Sequence, residues 1–329
     1  MVVSNILVTG GAGFIGSHLC KALMRDKHRV IILDNFNDFY DPKIKKRNID
    51  DLKDMMLDED LEFNALSVIT GDIREVKTLS RIFEFENIDT VVHLAAMAGV
   101  RPSIENPVLY NDVNITGTLN LLEMCKSHKV DKFIFASSSS VYGNNEKVPF
   151  SEEDNVDYPI SPYAATKKAG ELICHTYHKL YDIDMACLRF FTVYGSGQRP
   201  DLAIHKFTNL IMNESQVPFF GDGSTERDYT YIDDIVDGVT KSIKWVQDGK
   251  GKYEIFNLGE SNTITLKEMV ETLETVIGKK ANLKRMPMQL GDVNRTFADV
   301  TKAKSVLGYN PTMDFTEGIK IFVDWYKNI

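Results

Sequence analysis

The chain has 329 residues, of which 43% are hydrophobic and 26% charged, a composition typical of a globular protein with two domains or one domain and a lobe. Its formal net charge of -9 at pH 7 argues against a nucleic-acid-binding protein. No run of about 18 apolar residues is present, so we expect no transmembrane helix and no membrane partner.

The cysteines and the N-terminal sequence favour a reducing cellular compartment. Cys20, Cys125, Cys174 and Cys187 lie far apart without the spacing of a metal site, and they fit buried thiols in a reducing environment. The first apolar run begins almost at once, which leaves no room for a signal peptide. We therefore expect a cytoplasmic protein without a metal site.

Short apolar runs alternate with helical patterns in the first half of the chain. Strands are predicted at residues 5–9, 29–34, 66–70, 90–95 and 132–136. Helices are predicted at residues 14–25, 75–85, 108–128 and 163–181. This alternation predicts an α/β fold with a doubly wound parallel sheet, the Rossmann arrangement.

The second half of the chain is less regular. Two further strands, near residues 185–191 and 253–258, are expected to join the same sheet. Helices are predicted around residues 202–212 and at 233–245, 266–277 and 316–327. We expect residues 1–184 to form the cofactor-binding domain, and residues 192–252 and 259–329 to form a smaller, interleaved α/β lobe for the substrate.

A glycine fingerprint follows the first strand. Gly10, Gly13 and Gly16 permit a tight turn, a close approach to a pyrophosphate and close packing of a helix on a strand. The next strand ends at Asp34, an acidic residue that binds a ribose 2′-hydroxyl and repels a 2′-phosphate. Because no basic residue directly follows Asp34, the pattern favours NAD over NADP.

A charged segment comes next along the chain. Lys43, Lys45, Lys46 and Arg47 precede a group of acidic residues between positions 50 and 60. We interpret this segment as the solvated face of a helix rather than as a phosphate-binding patch.

Tyr163 and Lys167 are the main candidates for catalysis. A spacing of four residues places both on one face of a helix. A nearby ammonium favours the phenolate form of a tyrosine, so we expect Lys167 to lower the pKa of Tyr163. Such a tyrosine can remove the proton of an alcohol while a hydride leaves the same carbon.

With these residues placed, the chain resembles the extended short-chain dehydrogenase/reductase superfamily, and especially its nucleotide-sugar epimerases, over essentially its whole length. The motifs that carry the resemblance are Gly71-Asp72-Ile73-Arg74, His93-Leu94-Ala95-Ala96, Asn114-Ile115-Thr116-Gly117-Thr118, Ser137-Ser138-Ser139-Ser140-Val141-Tyr142-Gly143 and Arg227-Asp228-Tyr229. The resemblance implies an enzyme that uses NAD and acts on a UDP-sugar.

The resemblance also implies which residues bind the cofactor, with Asp72 beside the adenine and Asn114 near the cofactor. The implied cofactor-binding residues are Gly10, Gly13, Phe14, Ile15, Gly16, Asp34, Asn35, Asp72, Ile73, Leu94, Ala95, Ala96, Asn114, Tyr163 and Lys167.

The serine run distinguishes among the enzymes of this superfamily. Ser138 matches the catalytic serine or threonine, which binds the reacting hydroxyl beside Tyr163. The related dehydratases carry an Asp-Glu pair at the positions of Ser139 and Ser140, and the related decarboxylases carry Glu at that of Ser140. The serines therefore favour a redox reaction without elimination or decarboxylation.

Three segments, 34–42, 98–107 and 189–195, resemble UDP-glucuronate 4-epimerases. UDP-glucose 4-epimerases usually carry Asn at the position of Thr192. Thr192, Ser139 and Ser140 are therefore expected to hold the carboxylate of a uronate. Arg199 is a further candidate for substrate binding, with a surface ion pair to Asp201 as the alternative.

The remaining matches concern the nucleotide. Phe220 is expected to pack on the uracil, Arg227 to pair with the diphosphate, and Asp292 to lie close to the nucleotide. Gln289 replaces an arginine that many UDP-glucose epimerases carry, which leaves the role of Arg295 open.

The resulting hypothesis is interconversion of UDP-glucuronate and UDP-galacturonate. The alternatives are 4-epimerisation of UDP-glucose or UDP-N-acetylglucosamine, decarboxylation of UDP-glucuronate, and a catalytically silent NAD sensor. The resemblance further implies a homodimer formed by the helices at 108–128 and 163–181, whose candidate interface residues are Leu119, Leu122, Leu172 and Ile173.

Overall fold

The computed structural model describes residues 3–62, 64–287 and 293–329. Its strands are β1 (Asn5–Thr9), β2 (Arg29–Asp34), β3 (Leu66–Thr70), β4 (Thr90–His93), β5 (Lys132–Ser138), β6 (Asp184–Phe190), β7 (Thr192–Tyr194), β8 (Gln216–Phe220), β9 (Glu226–Arg227), β10 (Tyr229–Tyr231), β11 (Tyr253–Leu258), β12 (Ile264–Thr265) and β13 (Asn282–Met286).

The α-helices of these ranges are α1 (Phe14–Arg25), α2 (Pro42–Asp58), α3 (Val76–Phe85), α4 (Val100–Glu105), α5 (Pro107–Asn111), α6 (Gly117–His128), α7 (Pro162–Tyr181), α8 (Ala203–Met212), α9 (Ile232–Gln247), α10 (Leu266–Ile277), α11 (Thr301–Leu307) and α12 (Phe315–Lys327). A π-helical turn covers Asp112–Thr116, and a 3₁₀ turn covers Ser139–Tyr142. None of these helices is long and apolar enough to cross a membrane.

The central sheet has seven parallel strands in the order β11-β6-β5-β4-β1-β2-β3. The chain runs outward from β1 to β3 and then returns to place β4 on the other side of β1. In such sheets a ligand binds beyond the carboxyl ends of the strands, where the order reverses. The predicted fold class is therefore confirmed, including the two late strands of the sheet.

Both faces of the sheet are buried, as its apolar strands require. Ile6 and Val8 of β1 belong to a core on the side of α1, α2 and α9. Leu7 lies between them in sequence and belongs to the core on the other side, with α3, α6 and α7. This alternation follows from the period of two residues in a strand, and it makes the sheet a rigid base for the loops at its edge.

The rest of the chain forms short paired strands and helices beyond the carboxyl edge of the sheet. β7 pairs with β10, β8 with β13, and β9 with β12. Helix α10 packs against α8 and α12. Because β7 begins two residues after β6 ends, this region is attached directly at the edge where a ligand binds.

The helix predicted at residues 108–128 is not continuous. It consists of α5, the π-helical turn and α6. The amide of Asn114, within the π-helical turn, bonds both main-chain groups of Met97 and the hydroxyl of Thr166. π-Helical turns often occur at functional sites, and this one ties the turn to two walls of the cavity described below.

Candidate active site

A cavity of about 650 Å³ opens at the carboxyl ends of the central strands and is called the large cavity below. It takes in every residue implied to bind the cofactor except Asn114. Asn114 lies behind the cavity wall, where it holds Met97, which does line the cavity. Apart from Asn114, the residues that the resemblance implies as cofactor ligands therefore line a single cavity, and their role in binding stays a prediction.

The glycine loop leaves room that a side chain would fill. Gly10 has a φ of +71°, and a Cβ there would lie 2.9 Å from the backbone nitrogen of Ala95. A Cβ on Gly16 would lie 2.3 Å from the carbonyl oxygen of Gly10. Helix α1 begins directly after Gly13, so its first N–H groups face the cavity, as a pyrophosphate site requires.

Asp34 stands at the end of β2 with its carboxylate held by the backbone. Its Oδ2 accepts a hydrogen bond from the N–H of Ala12 at 3.2 Å, and its Oδ1 accepts one from Phe36 at 2.8 Å. Lys45 Nζ lies 3.9 Å from Oδ1, and both side chains are about 6% exposed. The carboxylate predicted to bind a ribose thus has a buried cation beside it.

Lys45 corrects the interpretation of the charged segment as a wholly solvated face. Its ammonium donates to the carbonyl and side-chain oxygens of Asn37, at 3.1 and 2.9 Å, and it lines the large cavity. Lys45 shares the buried face of α2 with Asn48, Ile49 and Leu52. That helical spacing was present in the sequence and could have identified Lys45 as the inward-facing lysine.

Asp72 is fixed by two neighbours at the far end of the cavity. Its carboxylate accepts hydrogen bonds from Arg74 at 2.9 Å and from Asn35 at 2.9 Å. The side-chain hydrogen bond from Arg74 makes the largest contribution to the pKa of Asp72, which is lowered to about 2. Asp72 is therefore ionised at neutral pH, and it links the loops that follow β2 and β3.

Helix α7 presents Tyr163 and Lys167 to the cavity. Ser161 caps its first turn by accepting from Ala164 N at 3.2 Å, and Pro162 occupies the first helical position. Lys167 donates to the carbonyl of Ala136 at 2.7 Å, and burial lowers the pKa of its ammonium to about 8.

The expectation that Lys167 lowers the pKa of Tyr163 is corrected. Burial raises the pKa of Tyr163, and the groups that act against this increase are Ser138, through a hydrogen bond, and Arg199, through its charge. Lys167 points instead at Ala136, with its Nζ 5.9 Å from the centre of the Tyr163 ring.

The serine run turns from β5 into a single 3₁₀ turn. Ser138 Oγ donates to Ser140 Oγ at 3.1 Å and accepts from Ser140 N at 3.2 Å. Ser138 lines the large cavity, while Ser139 and Ser140 line a neighbouring cavity of about 140 Å³, called the small cavity below. Thr192 lines both cavities, so the proposed carboxylate ligands adjoin Tyr163 and Ser138.

Two arginines were predicted to bind the substrate. Arg227 lines the small cavity and donates to its neighbour's carbonyl oxygen, Glu226 O, at 2.8 Å. Arg199 lines the large cavity, where it binds Asp201 through two hydrogen bonds of 3.0 and 2.7 Å and lies over the ring of Phe39. The ion pair of Arg199 with Asp201, which was the alternative to substrate binding, is thus present. Arg199 nevertheless lines the large cavity.

Phe220, the other described residue that was predicted to contact the nucleotide, lies outside both cavities. Arg101 lies over the ring of Phe220, 5.6 Å from its centre. Arg295 forms an ion pair with Glu226. Asp292 and Gln289 lie outside the described residues. Among the residues that the structure describes, Arg227 is thus the predicted nucleotide contact that reaches a cavity.

Comparison with known proteins identifies the family. A family model described as GDP-mannose 4,6 dehydratase matches residues 7–322. The chain belongs to this family, and the superfamily resemblance found in the sequence is confirmed.

Individual relatives are similar over nearly the whole chain. A UDP-glucuronate 4-epimerase of Thermodesulfobacterium geofontis is 45% identical over 322 residues, which cover 98% of this chain and 95% of the relative. The crystal structure of UDP-glucuronic acid 4-epimerase from Bacillus cereus with UDP-glucuronic acid and NAD is 37% identical, with a TM-score of 0.88 and coverage of 98% and 99%. UDP-glucose 4-epimerase from Thermus thermophilus with NAD is 30% identical, with a TM-score of 0.86 and the same coverage.

Proposed function

We propose that the protein is an NAD-dependent 4-epimerase that interconverts UDP-glucuronate and UDP-galacturonate. The observation that carries the proposal is the small cavity, which Ser139, Ser140, Thr192 and Arg227 line beside the catalytic pair Tyr163 and Ser138. The described residues that line it include no carboxylate. Hydroxyl groups and a cation suit an anionic sugar and its diphosphate, whereas a dehydratase needs acids there.

The predicted enzyme class is confirmed by the relatives, which are named UDP-sugar 4-epimerases, and the predicted cofactor is confirmed by the solved structures that contain NAD. The large cavity fits NAD because Gly10 and Gly16 leave the room that a pyrophosphate needs at the start of α1. Asp34 provides the acceptor for the ribose hydroxyls. NAD held there would supply reversible hydride transfer at C4 of the sugar.

The protein's own contribution is a proton path and a fixed geometry. Tyr163 takes the proton of the sugar 4-hydroxyl, and Ser138, which lowers the pKa of Tyr163 against the effect of burial, positions that hydroxyl and relays the proton. The Ser138 bond and the charge of Arg199 favour the phenolate against the effect of burial. Lys167, anchored on Ala136, holds a positive charge within the same wall.

The 4-keto sugar is a β-keto acid and can lose carbon dioxide. An epimerase must therefore keep its carboxylate away from the orientation in which the breaking bond aligns with the carbonyl. Ser139, Ser140 and Thr192 stand where hydroxyl donors can hold that carboxylate.

Thr192→Ala tests this restraint. Because one hydrogen bond to a carboxylate is lost, we expect either a decarboxylated pentose among the products or a KM for the uronate about tenfold higher, as a bond of about 1.5 kcal/mol implies. Thr230→Ala, in the paired strand β10, is the matched control because Thr230 is buried and lines neither cavity. Pure epimer and an unchanged KM for Thr192→Ala would contradict the role.

The direct test of the function is incubation of the purified protein with UDP-glucuronate, with the products resolved by proton NMR. Formation of UDP-galacturonate without added cofactor is the expected result. Conversion of UDP-glucose or UDP-N-acetylglucosamine alone would establish the neutral-sugar alternative, which the pairing of Arg199 with Asp201 favours. A pentose as the main product would establish a decarboxylase.

We also propose the predicted division of the chain. Residues 1–184, with the strands near 185–191 and 253–258, bind the cofactor, and residues 192–252 and 259–329 bind the nucleotide sugar. The support is that Ser139 and Ser140, from the first part, and Arg227, from the second, line one cavity.

We also propose the cytoplasm as the compartment. The four cysteines are free and buried, which supports this proposal.

A homodimer through α6 and α7 is a further proposal. Leu119 and Leu172 support it because they are 38% and 57% exposed. Leu122 is fully buried and Ile173 packs against the core, so these two predicted interface residues serve the chain's own interior instead. A sedimentation mass of two chains is expected, and the mass of one chain would contradict the dimer.

A further inference from the structure

A buried ion pair lies beneath the catalytic groups and contacts neither cavity. Glu171 of α7 and Arg189 of β6 are each 1% exposed. Arg189 Nε donates to Glu171 Oε1 at 2.8 Å, and Arg189 Nη2 donates to Oε2 at 2.9 Å. The two residues therefore form a bidentate pair with a single fixed geometry.

Each partner of the pair reaches an element that carries a catalytic group. Ser137 donates to Glu171 Oε1 at 2.6 Å and immediately precedes Ser138. Arg189 Nη1 donates to the hydroxyl of Tyr142 at 2.9 Å, and Tyr142 is the last residue of the serine turn. The pair thus holds both ends of the segment that contains Ser138, Ser139 and Ser140.

The remaining connections run along single elements. Glu171 is one helical turn beyond Lys167 on α7, and two turns beyond Tyr163. Arg189 lies three residues before Thr192. Tyr142 also donates to Asn257 Oδ1 at 2.7 Å, which extends the network to β11. A change in the geometry of the pair would therefore shift the helix, the serine turn and Thr192 relative to one another.

Stability does not account for such a pair. Removing two charges from water is costly, and well-packed apolar residues in place of a buried pair are often as stabilising or more so. A guanidinium fork bound to a carboxylate instead restricts direction and distance. This restriction is useful where several groups must meet one substrate, since a misplacement of about 1 Å can lower a rate by about 100-fold.

We propose that Glu171 and Arg189 are positioning residues. They set the distances among Tyr163, Ser138 and the hydroxyl groups of the serine turn that are proposed to bind the substrate carboxylate. This inference rests on the proposed function. It assigns neither residue a contact with substrate or cofactor. It adds a determinant of product purity, because a shifted serine turn would hold the uronate carboxylate less firmly.

The test is the double variant Glu171→Met/Arg189→Met, which replaces the pair by apolar side chains. We expect a melting temperature close to that of the wild type, with kcat about 100-fold lower and a larger share of decarboxylated pentose per turnover. The matched control is Arg25→Met/Glu59→Met, which removes an exposed bidentate pair at the far end of α1. The control should keep the kcat and the product ratio of the wild type.

The product ratio separates positioning from a merely structural role, because loss of folded protein lowers the rate without changing the ratio. If the double variant does not fold, Glu171→Gln, which keeps the shape and one acceptor oxygen, provides the same two readouts. A kcat within about twofold of the wild type and unchanged products would overturn the proposal. If the wild type itself does not convert UDP-glucuronate, the proposed function fails first, and kcat is then compared on the UDP-sugar that it does convert.

Discussion

The part of the site proposed to bind the cofactor, called the cofactor side, and the part proposed to bind the sugar nucleotide, called the substrate side, are built differently. On the cofactor side, the decisive features are backbone features at the ends of neighbouring strands: a φ of +71° at Gly10, the start of α1, and an Asp34 carboxylate held by two N–H groups. On the substrate side, two of the residues predicted to contact the substrate are long side chains that already have protein partners. Arg199 binds Asp201, and Phe220 lies against Arg101.

This difference has a consequence for binding. Backbone at strand ends cannot rearrange without disturbing the sheet, so the cofactor side is formed before any ligand arrives. A paired side chain must exchange its partner for the substrate, which costs part of the binding energy. The arrangement suits an enzyme that retains its NAD and releases its sugar nucleotide in every cycle.

Removing Tyr163, the proposed base, should give the largest effect on activity, because this residue is expected to act where the cofactor and the substrate meet. For Tyr163→Phe we expect kcat to fall by about 10³- to 10⁴-fold, the upper range for general acid–base catalysis. The ring remains, so the melting temperature and the NAD content of the purified protein should match those of the wild type. Tyr158→Phe, at an 80% exposed tyrosine, is the control. Appreciable residual turnover in Tyr163→Phe would remove that residue as the base.

The next effect belongs to the substrate side alone. Arg227→Ala should raise the KM for the UDP-sugar about 10- to 100-fold, because charge-assisted hydrogen bonds contribute about 1.5–3 kcal/mol. Cofactor content should not change, since Arg227 lies in the small cavity. Arg285→Ala removes an arginine of β13 that stacks on Phe219 and lines neither cavity, and it should leave KM unchanged. Loss of NAD in Arg227→Ala would contradict the separation of the two sides.

The same difference explains how far the sequence could predict the site. Asp34, Asp72 and Ser138 each lie at or just beyond the end of an apolar run, so a strand pattern already placed them at the binding edge. The contact of Arg101 with Phe220 joins segments far apart in the chain, and a local pattern contains no information about it. The burial that raises the pKa of Tyr163 likewise depends on tertiary packing.

Lys45 offers a smaller test, on the cofactor side. Lys45→Met removes the cation that faces Asp34 and binds Asn37, so we expect NAD affinity to fall about tenfold, as the loss of about 1.4 kcal/mol implies. NADP affinity should fall further, because Asp34 then meets the 2′-phosphate without a neighbouring positive charge. Titration of cofactor-stripped protein measures both, with the exposed Lys46→Met as the control. If Lys45→Met binds NAD as tightly as the wild type does, and likewise NADP, then Lys45 serves only to pack α2.

The last prediction concerns folding stability rather than activity or binding: the energetic cost of a preformed site. Burial lowers the pKa of Lys167 from 10.5 to about 8, so between these pH values the unfolded chain holds a proton that the folded protein releases. Raising the pH through this range therefore favours folding. The stability of the wild type relative to Lys167→Met should increase between about pH 7 and about pH 10, by at most about 3 kcal/mol. The comparison cancels groups common to both proteins, and melting curves at the two pH values measure it. A difference that does not change with pH would mean that Lys167 keeps its ordinary proton affinity, and that the catalytic wall is formed without an electrostatic cost.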